Sequence, residues 1–395
     1  MLQQLVSLLD GAHLAAPDVL PSVVASAARV LGWTSQIYLI DYPQRWLVPL
    51  AAVGTELPAA EAVDSTLAGR AFRTVELVQG GDDHEWRVWV PLLDGVERLG
   101  VVDIRFPLGS DLDRGPLRDQ IRWFSHLVGY LVASKSPYGD SFQRARSADQ
   151  RSVASDLIWS LLPPLTMGCD RLLISGLLEP AEKVAGDVFD YAVDDGIGHV
   201  AIFDATGHDL HSSAIGGLAL ASYRNGRHQQ LDLPSAAARI DSTLIEYAVD
   251  TYATGLLGQL ELDSGIFRYV NAGHPSPLLL RDGKVIKSLD EGRRILFGFP
   301  NRTAATATEQ LEPGDVIVLY TDGVIEARDE ARNFFGIDRF IDVLERRFAD
   351  RQFAPETLRR IVHTVLEYQH GTLQDDASIL FLEWATASAR APAAG

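Results

Sequence analysis

An apolar strand runs directly into an aspartate in the stretch Ala201-Ile202-Phe203-Asp204-Ala205-Thr206-Gly207-His208. In this pattern acidic residues and small residues lie where an apolar run begins or ends. The pattern recurs in three further segments: Gly186-Asp187-Val188-Phe189-Asp190, Val318-Leu319-Tyr320-Thr321-Asp322-Gly323 and Gln374-Asp375-Asp376-Ala377-Ser378. A single aspartate at such a position is usually a turn former or a helix cap. Four of them require another explanation.

Aspartates at the ends of buried strands are poorly solvated and need a cationic or hydrogen-bonding partner. Converged carboxylates also repel one another unless cations lie between them. Lys and Arg are nearly absent from the four segments, which favours metal as the counter-ion. Oxygen ligands select hard ions such as Mg²⁺ or Mn²⁺. Two such ions can activate a bridging water for attack on a phosphoester.

The residues around these segments, 171–384, predict antiparallel sheets covered by helices. Apolar runs typical of strands alternate with turn sequences, and two hairpins are indicated by Asp263-Ser264-Gly265 and Asp282-Gly283. Helices are predicted over Ser212–Tyr223 and Ser235–Ala248.

Residues 1–136 predict a separate α+β domain. Ser35–Ile40 is typical of a strand, and Asp94-Gly95 predicts a hairpin between two further strands, Arg87–Leu92 and Leu99–Phe106. A stripe of apolar residues at steps of three and four predicts a long helix; it comprises Leu117, Ile121, Phe124, Val128 and Leu131.

A helical connector is predicted over residues 137–170, and a disordered tail over residues 385–395. In the connector one helix is expected from Arg144 to Leu162, ended by Pro163-Pro164. It is either a plain surface helix or a signalling helix that pairs across a homodimer. The tail is rich in small residues.

Composition narrows the possible functions. The chain has 395 residues and a formal net charge of −18, which disfavours binding to nucleic acid. No apolar run approaches the ~20 residues of a membrane span, and the N-terminus lacks the features of a signal peptide. The single cysteine, Cys169, precludes an intramolecular disulfide or a cysteine-based zinc site and does not lie in a cysteine phosphatase loop. We expect a cytoplasmic protein.

In this order the motifs resemble the metal-dependent protein serine/threonine phosphatases (PPM), in their bacterial SpoIIE-type branch. The segments that carry the resemblance are PAEKVAGDVFDY, AIFDATGHDLHSSA, YVNAGHPSPLLL, VIVLYTDGVIEARD, FFGIDRF and QDDASILFL. The resemblance implies a sandwich of two antiparallel sheets flanked by helices. It also implies two Mn²⁺ or Mg²⁺ ions that activate water for hydrolysis of phosphoserine or phosphothreonine.

The resemblance assigns catalytic and metal-binding roles residue by residue. Asp204 matches the carboxylate that bridges both metals, beside the Ala205 carbonyl, and Asp187 matches the acidic residue near the second metal. Asp322 and Asp375 match ligands of the first metal.

Asp375 is preferred to its neighbour Asp376, because distant relatives have Asp-Asn there and the first residue is the ligand. Asp190 is expected behind the ligands. The sequence departs from the family pattern where His208 is followed by Asp209, which either adds a carboxylate or marks a variant surface loop. His208 is a general acid or, as we prefer, a loop histidine. His274, in a tight turn, is expected to be structural.

The N-terminal block resembles a GAF sensor domain through STLAGRAF and VWVPLLDGVERLGVVDIRF. Such domains often bind a small ligand; the alternative is a domain that only dimerises. In the SpoIIE-type branch the usual substrate is a phosphorylated anti-sigma-factor antagonist, a STAS-domain protein. Two other functions stay open: a non-catalytic adaptor on the same fold, and a hydrolase of small phosphoesters.

Overall fold

The computed structural model describes residues 2–52, 54, 56–81, 85–107, 115–147, 152–179, 186–205, 207, 210–248, 251–299, 305–371 and 373–385. The chain divides into two compact units, Met1–Gln150 and Arg151–Gly395. No helix within the described ranges is both long and apolar enough to cross a membrane.

The N-terminal unit is one antiparallel sheet with helices on both faces. Its strands lie in the order β3-β2-β1-β6-β5-β4. In chain order the elements are α1 (Leu2–His13), a 3-10 turn (Pro17–Val19), α2 (Leu20–Val30), β1 (Thr34–Ile40), β2 (Trp46–Pro49), β3 (Glu61–Ala62), α3 (Leu67–Thr74), β4 (Val78–Gly81), β5 (Glu85–Asp94), β6 (Glu97–Pro107), α4 (Gly115–Lys135), a second 3-10 turn (Ser136–Tyr138) and α5 (Ser141–Arg146).

Alternation along the strands builds two apolar layers on this sheet. Ile37 and Leu39 of β1 lie in the core with α1, α2 and α4. Tyr38 and Ile40 point to the other face, where Phe72 of α3 packs. The predicted strands, the hairpin at Asp94-Gly95 and the long helix are confirmed, whereas the GAF assignment stays a prediction.

The C-terminal unit contains two six-stranded sheets. Its elements are α6 (Val153–Leu161), β7 (Thr166–Cys169), β8 (Leu172–Glu179), β9 (Asp187–Asp194), β10 (Ile197–Ala205), α7 (Leu210–His228), α8 (Leu233–Tyr247), β11 (Ala253–Glu261), β12 (Ile266–Ala272), β13 (Leu278–Arg281), β14 (Lys284–Ser288), β15 (Arg293–Arg294), β16 (Ala307–Gln310), β17 (Val316–Tyr320), α9 (Asp322–Ile325), α10 (Ile337–Ala349), α11 (Ala354–Tyr368) and β18 (Ala377–Trp384).

One sheet has the order β15-β12-β11-β10-β9, with β16 also paired to β12, and the other has the order β14-β13-β17-β18-β8-β7. All pairs are antiparallel except the short β12–β15 pair. Helices α7 and α8 pack on the first sheet, and α11 packs on β8 and β18 of the second. The predicted antiparallel sheets flanked by helices are therefore confirmed.

The two sheets approach closely at Gly176 of β8. A Cβ atom there would lie 2.5 Å from the Phe189 ring of β9, so only glycine fits. Since β8 and β9 belong to different sheets, this contact brings their apolar faces together.

The expected single connector helix from Arg144 to Leu162 is wrong. Ser147 has an extended backbone and ends α5. A second helix, α6, begins after Ser152, whose side chain caps it by accepting a hydrogen bond from the Ser155 N–H. Of the predicted tail 385–395, only Ala385 belongs to the described residues; its N–H donates to the Arg171 carbonyl.

Candidate metal centre

Strand pairing brings the predicted carboxylates to one end of the two sheets. In the first sheet Asp204, near the end of β10, is the cross-strand partner of Asp187 at the start of β9. In the second sheet β17 and β18 run antiparallel, so the end of β17 meets the start of β18. Asp322 follows β17 and Asp375 precedes β18. Each sheet therefore contributes acidic residues at this end of its strands. We call the end that carries Asp187, Asp204, Asp322 and Asp375 the acidic edge.

Asp187 is held by a hydroxyl from the opposite sheet. Its carboxylate is 3% exposed, and its Oδ2 accepts a hydrogen bond of 2.7 Å from the Thr321 Oγ1. The same hydroxyl oxygen accepts a bond of 3.0 Å from the Ser378 N–H. Burial, followed by the charges of Asp204 and Asp376, raises the pKa of Asp187 well above its usual value. Thr321 thus ties β9 to the β17–β18 pair.

Asp204 interacts with three other carboxylates of the acidic cluster. Burial, followed by the charges of Asp322, Asp375 and Asp376, raises the pKa of Asp204 to about 7. Burial also raises the pKa of Asp322, whose carboxyl is near enough to Asp204 to share a hydrogen bond. Within the described part of the chain, Asp187, Asp204, Asp322 and Asp375 form no ion pair. Among the described residues, no cation of the protein pairs with these carboxylates to offset their repulsion.

The adjacent residues Asp375 and Asp376 lie in different surroundings. Asp376 is 3% exposed, and its Oδ2 accepts a hydrogen bond of 2.7 Å from the Gly186 N–H. Asp375 is exposed, and its Oδ1 accepts a bond from the Asp376 N–H. Partial burial of its carboxyl and the charges of Asp376 and Asp322 raise the pKa of Asp375 to about 6, although that N–H opposes the shift. Asp376 is engaged with backbone, whereas Asp375 is open to a ligand.

Two glycines allow the backbone to come this close. A Cβ atom on Gly323 would lie 2.0 Å from the Asp376 carbonyl oxygen, and one on Gly186 would lie 2.6 Å from the Ala205 carbonyl oxygen. Neither oxygen belongs to a flexible side chain, so a larger residue would push the strands apart. Gly186 and Gly323 are therefore required by packing around the acidic residues.

Asp190, three residues after Asp187 on β9, is neutralised by arginines. It is 2% exposed and accepts hydrogen bonds from Arg224 at 2.7 Å and from Arg227 at 2.8 Å. Arg224 also donates to the Leu161 carbonyl at the end of α6. The motif sequences do not contain these arginines, because they come from α7. Their spacing of three residues on one helix face was the available signal.

The donor set fits a hard divalent cation. It consists of carboxylate oxygens that have no counter-ion among the described side chains, together with the Ala205 backbone beside Asp204. Among the residues that the structure describes, no three His, Cys, Asp or Glu side chains form a ready-made metal site. The carboxylates instead interact through pairs such as Asp204 with Asp322 and Asp187 with Asp376.

The prediction that His274 is structural is confirmed. The residue is 1% exposed, its Nδ1 lies 3.0 Å from the Thr254 Oγ1, and the Asn271 side chain bonds both its N–H and its carbonyl. Burial lowers the pKa of His274 to about 3. His208 and Asp209 lie outside the described residues.

Residues 194–385 match the family model described as Stage II sporulation protein E (SpoIIE). The match includes Asp204, Asp322 and Asp375 and begins after Asp187.

Two curated relatives and one solved structure are similar to the chain. IcfG of Synechocystis sp. is 23% identical over 326 residues, which are 73% of this chain and 50% of IcfG. The phosphoserine phosphatase RsbU of Bacillus subtilis is 22% identical over 269 residues, 65% of this chain and 79% of RsbU. The SiaA-PP2C domain of Pseudomonas aeruginosa has 24% identity and a TM-score of 0.50, covering 58% of this chain and 94% of that domain.

The family-model match over residues 194–385 and the likeness of the fold to the SiaA-PP2C domain show that the C-terminal unit resembles SpoIIE/PP2C-type phosphatase domains. The chain spans about half the length of IcfG.

Proposed function

We propose that the chain is a metal-dependent phosphatase that removes phosphate from phosphoserine or phosphothreonine in a protein. The observation that carries this proposal is the meeting of Asp187, Asp204, Asp322 and Asp375 at one edge of the two sheets, without protein cations among the described residues. The match of the domain to SpoIIE and RsbU supports the same activity.

Two Mn²⁺ or Mg²⁺ ions would supply an activated water and neutralise charge on the phosphoryl group. Asp204 and the Ala205 carbonyl would hold both ions. Asp187 would lie on the side of the second metal, and Asp322 and Asp375 would be ligands of the first metal. Thr321 keeps Asp187 oriented toward Asp204. Asp376 accepts a hydrogen bond from the Gly186 N–H and so fixes the backbone directly before Asp187. The protein's part is to hold these oxygens in place before substrate arrives.

The proposed substrate is a phosphorylated STAS-domain anti-sigma-factor antagonist in the cytoplasm. The similarity to RsbU supports a phosphoprotein substrate. The N-terminal unit would act as a GAF-like regulatory domain, with or without dimerisation. Comparing phosphate release by the full chain and by residues 152–395 tests that regulation; equal rates and equal metal affinity would leave the unit a role in localisation or dimerisation only.

Phosphate release from phosphoserine proteins, measured with and without Mn²⁺, tests the activity. Asp204→Asn removes a charge from the cluster and should lower the rate by orders of magnitude. The matched control is Asp170→Asn, an exposed carboxylate on the turn after β7, which should retain the wild-type rate. Activity that survives in Asp204→Asn and resists chelators would contradict the two-metal mechanism. No activity on any phosphoprotein would favour an adaptor, and activity on small phosphoesters alone would favour a small-molecule hydrolase.

A further inference from the structure

A cavity of about 720 Å³ lies within the N-terminal unit, between β2, the 3-10 turn at Pro17–Val19 and α5. Its walls are mostly apolar and include Val48, Leu50, Leu57 and Phe142. Val48 is the cross-strand partner of Leu39, which belongs to the core with α2 and α4. The cavity therefore opens on that face of the sheet, opposite α3. Its volume lies in the range of small-molecule sites, roughly 300–1,000 Å³.

A buried carboxylate, Asp41, forms part of the cavity wall. It is 2% exposed, and its Oδ1 accepts hydrogen bonds from the Arg45 N–H at 2.7 Å and the Trp46 N–H at 2.9 Å. Within the described ranges Asp41 forms no ion pair. Burial raises the pKa of Asp41, although the two backbone N–H groups oppose the shift. Within the described residues, backbone N–H groups donate the hydrogen bonds to this carboxylate, while the charges of Arg45 and Arg146 act on it without forming an ion pair.

The basic side chain of Arg146 on α5 is engaged with other partners. The Arg146 Nε donates to the Ile40 carbonyl at 3.0 Å, and its guanidinium stacks over the Tyr42 ring at 4.4 Å. Arg144 lines the cavity but is 73% exposed, 4.0 Å from Asp140. Asp18, also in the lining, adds a second negative charge. The polar groups of the cavity thus favour a cationic occupant over an anionic one.

Trp46 lines the same cavity and is 46% exposed. An indole ring beside a carboxylate suits an organic cation, because the ring face attracts positive charge and its area covers an apolar body. We propose that this cavity binds a small organic amine, with the protonated nitrogen on Asp41 and the apolar part against Trp46 and Val48. The proposal is independent of the phosphatase activity.

Calorimetric titration of the full chain with three matched probes tests the proposal: phenethylamine, 2-phenylethanol and 3-phenylpropionate, which share a ring and differ in the polar group. Phenethylamine should bind at least about tenfold more tightly than the alcohol, corresponding to ~1.4 kcal/mol, and the carboxylate most weakly. Asp41→Asn keeps the Oδ1 acceptor for the turn and removes the charge, so it should reduce the affinity for the amine to that for the alcohol. Asp10→Asn, an exposed carboxylate of α1, is the control and should leave all three affinities unchanged.

Two further measurements keep the test decisive if Asp41→Asn folds poorly. Phenethylamine should slow amide hydrogen exchange of α5 in the wild-type chain, since α5 forms one wall. Ala51→Trp, at an exposed lining position, should weaken the binding of every probe. Four outcomes would each overturn the proposal. The wild-type chain could bind the amine and the alcohol equally, prefer the carboxylate, or bind no probe at about 10 mM. A folded Asp41→Asn variant could also bind the amine with unchanged affinity.

Discussion

Replacing Thr321 by Val should destabilise the C-terminal unit and weaken metal binding together. Thr321 is fully buried, and its hydroxyl both donates to Asp187 and accepts from the Ser378 N–H. Val has a similar shape but makes neither bond, so it leaves a buried N–H and a buried carboxyl oxygen without their partners. Each such loss costs about 1–3 kcal/mol. We expect the two losses together to cost about 3 kcal/mol.

Thr321→Ser is the matched control. It keeps the hydroxyl and loses one methyl group, which costs about 1 kcal/mol. Urea unfolding of the two variants should therefore differ by about 2 kcal/mol. Calorimetric titration with Mn²⁺ should show a loss of affinity of at least about tenfold for the Val variant, because an oriented ligand depends on its hydrogen-bond partner. Equal stability and equal Mn²⁺ affinity of the Val and Ser variants would refute the role assigned to this hydroxyl.

Three further predictions concern the surroundings of the acidic edge. Gly323→Ala places a Cβ 2.0 Å from the Asp376 carbonyl oxygen, so thermal unfolding should show a loss of several kcal/mol; an unchanged melting temperature would contradict the packing. Asp375→Ala should abolish phosphate release, whereas Asp376→Ala should weaken it and also lower the melting temperature; the reverse order of rates would reassign the ligand. His274 has its pKa lowered to about 3, so below pH ~6.5 the unfolded chain binds a proton that the native state excludes. Native stability should fall with decreasing pH by up to ~1.4 kcal/mol per pH unit more than that of His274→Gln, and parallel urea-unfolding profiles would exclude this contribution.

The strands and the acidic edge were predictable from sequence because both depend on local pattern. The apolar run that ends at Asp204 identifies a buried strand and the position of its carboxylate at the same time. Packing of the two sheets against each other then brings residues as distant in sequence as Asp187 and Asp376 close together. The order of the four motifs, rather than any single motif, predicts the acidic site.

The interactions that hold the edge together were not predictable, because they depend on tertiary pairing. The Thr321–Asp187 bond spans 134 residues and joins two sheets, so no local spacing indicates it. Arg224 donates to Asp190 from α7, which follows β10 and precedes β11 in the chain. The sequence does not locate the helix break at Ser147, because apolar positions at steps of four, from Val153 onward, indicate a helix but not where it begins.

A crystal of the full chain grown with Mn²⁺ and measured for anomalous scattering would test the central claim most directly. We expect two Mn²⁺ peaks at the edge of the two sheets, both within ligand distance of Asp204, with Asp187 near one and Asp322 and Asp375 near the other. The same experiment on Asp204→Asn should show weaker or absent peaks at both positions. Crystals of the wild-type chain that retain phosphatase activity but show no Mn²⁺ peak near Asp204 would contradict the proposed metal centre.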